Sequence, residues 1–285
     1  MDAVAEAPET TREVVSRALE EDRATRDLSS LAVVPEGARA RGRLECKENG
    51  VLAGVDFASE AFLLCDPEVE LDWRARDGDS LEPGSLVATF TGSARSLLAA
   101  ERTALNFLGH LSGVATQASR ARAEAGSVTV LHTRKTLPGL RDAQRQAVVA
   151  GGGSLHRRDL AEEILLKENH FAVAGCSYSQ AVAKAVSLHP ELRVGVEAES
   201  VAQALEALTA GASYVLLDNF QPEKLGPGVL AIREQFPQAV LEVSGGRAPG
   251  GLADLPETLV DRVSLGSLTH SVRSLDLSLM LEPLS

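Results

Sequence analysis

Between Val128 and Ser267 short apolar runs end, one after another, in residues able to hold anions or a metal ion. The endings are Thr133-Arg134-Lys135, Lys167-Glu168-Asn169-His170, Glu197, Asp218-Asn219, Ser244-Gly245-Gly246 and Gly266-Ser267. Arginine offers a planar fork to carboxylates and phosphates, and lysine a compact point charge. Behind a triglycine turn, Gly151-Gly152-Gly153-Ser154-Leu155-His156-Arg157-Arg158 adds further candidate cations. Together these groups suit a ligand with several negative charges. An isolated basic dipeptide is more often a solvated face, but glycine beside Arg157 and the strand-end placement of Arg134 favour a site. The triglycine lacks the spacing of a dinucleotide or P-loop fingerprint.

Lys167 follows Ile164-Leu165-Leu166 and could bind an anion or, if desolvated, form a Schiff base with a carbonyl substrate. His156 and His170 fit no common zinc spacing. Glu197 and Asp218, 21 residues apart, close neighbouring strands. Such a carboxylate pair suits Mg²⁺ that keeps most of its waters and borrows substrate phosphates, or equally accepts hydrogen bonds from ribose hydroxyls. Ser244-Gly245-Gly246 and Gly266-Ser267 end the last two predicted strands, where glycine lets backbone N–H groups approach phosphate oxygens.

These groups must be carried by a strand-helix alternation. The pattern predicts strands near 128–133, 163–167, 192–197, 213–217, 239–243 and 261–265, with helices near 140–150, 178–188, 200–210 and 222–235. Six strands leave an incomplete barrel or an open doubly wound sheet. Ligand groups at every strand end favour the barrel, because an open sheet gathers them at one switch point.

Before this region the pattern differs. Thr10-x-x-Glu13 reads as a capping box opening a helix with Val14, Val15, Ala18 and Leu19 on one face. Ala38 to Lys47 alternates as a half-buried strand. Further strands are predicted at 69–74 and 85–91, with a helix at 55–64. A long helix from 93 to about 125 follows, with Gly113 expected to break or kink it. The fold class predicted is α/β with α+β: an amino-terminal α/β layer at 1–113, joined by the leucine-rich tail 271–285, and an incomplete parallel α/β barrel at 114–270.

Bulk composition narrows the partners. Acidic residues outnumber basic ones 40 to 28, for a net charge of −12, which argues against nucleic acid or an anionic membrane. Cys46, Cys65 and Cys176 form no paired motif, which fits a reducing cytoplasm. Met1 to Thr10 lacks an export signal, and no apolar run approaches a membrane span.

An ordered series of motifs then carries a resemblance. It begins with Glu101-Arg102-Thr103-Ala104-Leu105-Asn106-Phe107-Leu108, Leu111-Ser112-Gly113-Val114-Ala115-Thr116 and Thr133-Arg134-Lys135-Thr136-Leu137-Pro138-Gly139-Leu140-Arg141. It continues through His156-Arg157, Leu166-Lys167-Glu168-Asn169-His170, Leu217-Asp218-Asn219, Glu242-Val243-Ser244-Gly245-Gly246 and Ser264-Leu265-Gly266-Ser267-Leu268-Thr269-His270. Across essentially the whole chain this resembles the quinolinate phosphoribosyltransferases. The resemblance implies an amino-terminal α/β sandwich domain and an incomplete barrel. It implies transfer of phosphoribosyl from phosphoribosyl pyrophosphate to quinolinate with decarboxylation, with Mg²⁺ as cofactor, in de novo NAD biosynthesis. It also implies a homodimer with a shared active site, open to higher assembly, in which Arg102 reaches across the interface. Arg134, Lys135, His156, Arg157 and Lys167 match the basic cluster around dicarboxylate and phosphates, and Glu197 and Asp218 match the acidic pair near ribose and Mg²⁺. Lys135, Lys167, Glu197 and Asp218 are the groups expected to act in catalysis, with Ser244, Gly245, Gly246, Gly266 and Ser267 binding substrate.

The chain departs from the family pattern at several positions. Leu155 replaces an asparagine, Asp159 a glycine, Gly195 the first of two alternating glutamates and His132 an aspartate, while Gln144-Arg145 replaces a frequent Glu-Lys pair. The competing readings are a paralogous phosphoribosyltransferase for another anionic ring, including a molybdenum-transport-associated relative, a Schiff-base aldolase built on Lys167, and a non-catalytic metabolite-binding homologue.

Overall fold

The computed structural model describes residues 10–284, so the reading of the segment before Thr10 lies outside the described residues. The chain forms two compact units, one reaching to Thr116 and taking in the segment from Val272, the other running from Gln117 to Ser271.

In the first unit α1 (Thr11–Glu21) opens on the expected capping box, with the Thr10 side chain and the Glu13 carboxylate satisfying each other's backbone N–H groups. After α2 (Leu28–Val33) come β1 (Arg39–Cys46), β2 (Gly50–Val51), α3 (Val55–Cys65), β3 (Glu70–Trp73), β4 (Ser80–Leu81) and β5 (Leu86–Ser93). An antiparallel sheet is ordered tail strand, β1, β5, β3, the tail strand being Leu277–Leu284. Along β1, Ala40, Leu44 and Cys46 are buried and Arg39, Arg41 and Arg43 exposed, the alternation of a strand with one solvated face. The strands β2 and β4, with α3 and β3 between them in the chain, pair antiparallel as a separate two-stranded sheet that the sequence did not suggest.

The long helix α4 (Ala94–Glu124) runs unbroken through Gly113, against the expected break. A Cβ at that position would lie 2.3 Å from the carbonyl oxygen of Arg273. The glycine therefore serves close backbone approach by the returning tail and does not terminate the helix.

The second unit contains all six expected strands: β6 (Thr129–Leu131), β7 (Ile164–Leu166), β8 (Val194–Ala198), β9 (Tyr214–Asp218), β10 (Val240–Ser244) and β11 (Arg262–Ser264). The helices are α5 (Arg141–Ala150), α6 (Glu168–Ala174), α7 (Tyr178–Leu188), α8 (Val201–Thr209), α9 (Pro222–Gln235) and the single turn α10 (Ser267–His270). The sheet is parallel in the order β6-β11-β10-β9-β8-β7. Strand order thus follows the chain from β7 to β11 and returns to the first strand, with no switch point. That is barrel winding, and it excludes the doubly wound alternative. The gap lies between β6 and β7, where one parallel bridge from Leu131 to Ser154 stands in for a strand.

Residues two apart share a strand face, so the interior is layered. Leu165, Tyr214 and Leu216 form its apolar part, with Val240 against them. One step further along the strands come Lys167, Glu197, Asp218 and Ser244, at the carboxyl rim where barrels hold their ligands.

Candidate active site at the barrel rim

The rim has an acidic side built by β7, β8 and β9. Lys167 Nζ lies 2.7 Å from Glu197 Oε1. Glu197 is 7% exposed, and burial pushes its pKa up, with Lys167 opposing and the carboxyls of Glu168 and Asp218 adding to the rise. Burial also raises Asp218, opposed by Lys167 and Lys135 and reinforced by Glu168 and Glu199. Carboxylates crowded in this way have a raised affinity for any cation. Asn219, in the left-handed region at φ 53°, folds its amide back to donate to Asp218 Oδ2 at 2.7 Å. A Cβ on Gly245 would stand 2.4 Å from Asn219 Oδ1 and 2.7 Å from Asp218 Oδ1, so the glycine there is required by space as well as by its φ of 78°.

The basic side is carried by two loops filling the gap between β6 and β7. Two residues of α5 pin them. Gln144 accepts from the Leu137 N–H at 2.9 Å and donates to Thr269 O at 3.0 Å. Arg145 donates to His156 O at 3.2 Å. Arg157 is 8% exposed, and burial together with neighbouring Arg134 lowers its pKa. Arg134 Nε is buried with no hydrogen-bond partner. Among the described residues neither guanidinium forms an ion pair with a carboxylate, which is the electrostatic condition of a site made for an anion.

Lys135 crosses Gly266, where a Cβ would meet its Cδ at 2.8 Å. The buried Ser267 Oγ beside it has no partner. The structure therefore gathers Arg134 with Arg157, Lys135 with Gly266 and Ser267, Lys167 with Glu197, and Asp218 with Gly245. Lys135 and Lys167 both act on Asp218, linking the two sides. Arg102 belongs to the other unit and is exposed on α4.

His156 lies beside Arg157 and is partly buried. Its Nδ1 accepts from the Arg157 N–H at 2.7 Å, so the ring proton is on Nε2, 3.3 Å from Glu242 Oε1. Nδ1 is thus taken by the Arg157 N–H, while Nε2 lies near Glu242 Oε1, a buried oxygen with no hydrogen-bond partner. His132 accepts the His156 N–H on Nε2 at 3.1 Å, and burial drives its pKa down to about 4. The sequence reading assigned no role to Glu242, fully buried with Arg262 Nε 3.1 Å from its second oxygen. The available signal was a lone acid at an inward position of an apolar strand, Val240-Leu241-Glu242-Val243.

Outside the rim, the first unit holds a cavity of 580 Å³ lined by residues such as Leu19, Arg23, Arg26 and Arg95. None of these was singled out for chemistry.

Both parts of the chain match known proteins. Residues 27–112 match the model of the quinolinate phosphoribosyl transferase N-terminal domain, and residues 114–280 that of the C-terminal domain. The chain is 38% identical over 279 residues to the nicotinate-nucleotide pyrophosphorylase [carboxylating] of Mycobacterium leprae, covering 95% of this chain and 97% of that protein. It is 36% identical over 258 residues to the protein of the same name from Homo sapiens, covering 89% and 86%. The crystal structure of NadC from Streptococcus pyogenes superposes with a TM-score of 0.91 at 38% identity, covering 99% of this chain and 100% of that one. With both domain models matched in order and relatives similar along almost their whole length, the chain belongs to the quinolinate phosphoribosyl transferase family.

Proposed function

We propose that this protein transfers phosphoribosyl from phosphoribosyl pyrophosphate to quinolinate and releases CO₂, giving nicotinate mononucleotide and pyrophosphate for de novo NAD biosynthesis. The observation that carries the reading is the adjacent pair Arg134 and Arg157, cationic and without a carboxylate partner, on a rim whose other side is acidic. Quinolinate brings two carboxylates to the arginines. The orphaned Ser267 Oγ, Gly245, Gly246 and Lys135 suit phosphate oxygens, with Ser244 and Gly266 shaping the same turns.

Two dense anions would repel each other in water and be repelled by a protein of net charge −12. The local cations offset that repulsion and hold the pyridine nitrogen against the anomeric carbon. As the ribosyl–pyrophosphate bond breaks, positive charge grows on the sugar, and Glu197 and Asp218 stabilise it. The pyridine nitrogen then bonds to the anomeric carbon and becomes positive. The adjacent carboxylate leaves as CO₂, its bonding electrons drawn to the quaternised ring, and the ring carbon takes up a proton. Arg134, His156 and Arg157 orient quinolinate, with His156 Nδ1 also accepting from the Arg157 N–H, and Lys135 and Lys167 serve phosphate or pyrophosphate.

Mg²⁺ fits the acidic side, because buried Glu197 and half-buried Asp218, both with raised proton affinity, offer the partial shell that Mg²⁺ completes with water and phosphate oxygens. Bound by Glu197 and Asp218, directly or through water, it supplies charge that stabilises departing pyrophosphate. The family resemblance supports a homodimer in which exposed Arg102 of one protomer enters the site of its partner. Unpaired cysteines support a cytoplasmic setting, and among the described residues no helix is long and apolar enough to cross a membrane. Incubation with Mg²⁺, phosphoribosyl pyrophosphate and either quinolinate or nicotinate tests the reading. Mononucleotide and CO₂ from quinolinate alone is the expected result, and product from nicotinate alone would reject it.

A further inference from the structure

Tyr214 is wholly buried at the first position of β9. Its register partner on β8 is Gly195, and a Cβ there would lie 2.2 Å from Tyr214 Cζ. The ring therefore occupies the space that any other residue at 195 would need. Its hydroxyl donates to Glu163 Oε2 at 2.9 Å. Burial and the Glu163 charge push the phenol pKa up, so the group remains a donor. Arg262 Cζ lies 4.5 Å and Arg193 Cζ 5.1 Å from the ring centroid. The His156 ring meets it edge-on, with centroids 6.1 Å apart and planes at 70°.

Two of these neighbours hold Arg157. The carbonyl of Glu163 accepts from Arg157 Nη1 at 3.1 Å, and His156 Nδ1 accepts from the Arg157 N–H at 2.7 Å. Glu163 is itself fixed through both carboxylate oxygens, by Tyr214 on one and Arg193, at 3.3 Å, on the other. Tyr214 thus bears on Arg157 by two routes, one to its guanidinium and one to its backbone. Among the described residues no hydrogen bond or ring contact leads from Tyr214, Glu163 or His156 to Lys135, Gly245 or Ser267.

We propose that Tyr214, seated over Gly195, is a positioning residue for Arg157 and tunes binding of the dicarboxylate ring without touching it. The inference rests on the reading that Arg157 holds quinolinate. Tyr214→Phe removes one hydrogen bond and keeps the ring. The KM for quinolinate should rise about fivefold to tenfold, the size expected for one such bond. The KM for phosphoribosyl pyrophosphate should stay within about twofold, since support for a general fold would move both. Gly195→Ala pushes the ring from the opposite side and should show the same split. Adding Tyr214→Leu to Gly195→Ala relieves the clash, so the pair should lose less than the two single effects combined.

Wild-type turnover of quinolinate judges the functional reading separately. Crystal structures of ligand-free wild type and Tyr214→Phe judge the positioning without any substrate. Displacement of the Arg157 guanidinium from Glu163 O is expected. An Arg157 unmoved in Tyr214→Phe, equal changes in both KM values, or no change in either would overturn the proposal.

Discussion

Lys167 and Glu197, at the ends of adjacent strands, form a 2.7 Å ion pair in which the carboxylate is buried and the ammonium half-exposed. The pair is unequal in energy: burial raises the Glu197 pKa in spite of Lys167. The folded state therefore holds the Glu197 proton more tightly than the unfolded state does. This contribution to stability is complete at acid pH and lost as pH rises through the raised value. Glu197→Gln should leave the thermal midpoint at pH 7 no lower than wild type, while kcat falls on the order of 100-fold. Calorimetry and steady-state kinetics on one preparation would check both halves. A clearly lowered midpoint would refute the stability half.

His132 works in the opposite direction. Its folded pKa of about 4 lies below the ordinary value of 6.5 because the ring is buried. The unfolded chain binds the proton first, so stability is complete above the ordinary value and drains away as pH falls towards about 4. The gap is worth on the order of 3 kcal/mol. Urea melts at a series of pH values should show the wild type losing stability across this window and His132→Asn losing less.

Arg134→Ala and Arg157→Ala should each raise the KM for quinolinate, and Lys167→Ala should act chiefly on kcat or on phosphoribosyl pyrophosphate. Losing a charged hydrogen-bond partner at a buried site corresponds to roughly 10-fold to 100-fold. Wild-type parameters for both Arg134→Ala and Lys167→Ala would remove the basis of the proposed site.

Gly113→Ala should destabilise the first unit by about 1–3 kcal/mol, because the Arg273 carbonyl that the new methyl meets is backbone and cannot swing aside. Chemical denaturation of the variant measures this directly.

Removal of divalent cations by EDTA should abolish turnover, and added Mg²⁺ should restore it. Quinolinate affinity, measured alone by titration calorimetry, should change little, since Arg134 and Arg157 bear no metal. A loss of quinolinate binding in EDTA would overturn the separation of the two sides.

The periodic parts of the fold were legible: six apolar runs became six strands, and rim residues followed from where each run stopped. Helix α6 escaped because Phe171 is its one buried residue, leaving no apolar stripe to see. Gly113 misled because glycine signals a break in isolation, whereas its reason here is a segment 160 residues downstream. The same limit hid the second tier of the site. Gln144, Arg145, Glu242 and Tyr214 act through neighbours distant in sequence, and residue type alone does not reveal which charges meet inside a barrel. Gly195 was visible as a departure, but its cause, the Tyr214 ring, exists only once β8 and β9 are paired.

The ladder joining β6 to β11 has a consequence for biogenesis. These are the first and last strands of the unit, so β6 is synthesised long before its partner exists. Until Arg262–Ser264 leaves the ribosome, one edge of Thr129–Leu131 and one of β10 have no ladder to join, and both are open to mispairing with other chains. A nascent chain stalled before Arg262 should therefore depend on chaperones, whereas the finished chain closes that seam itself.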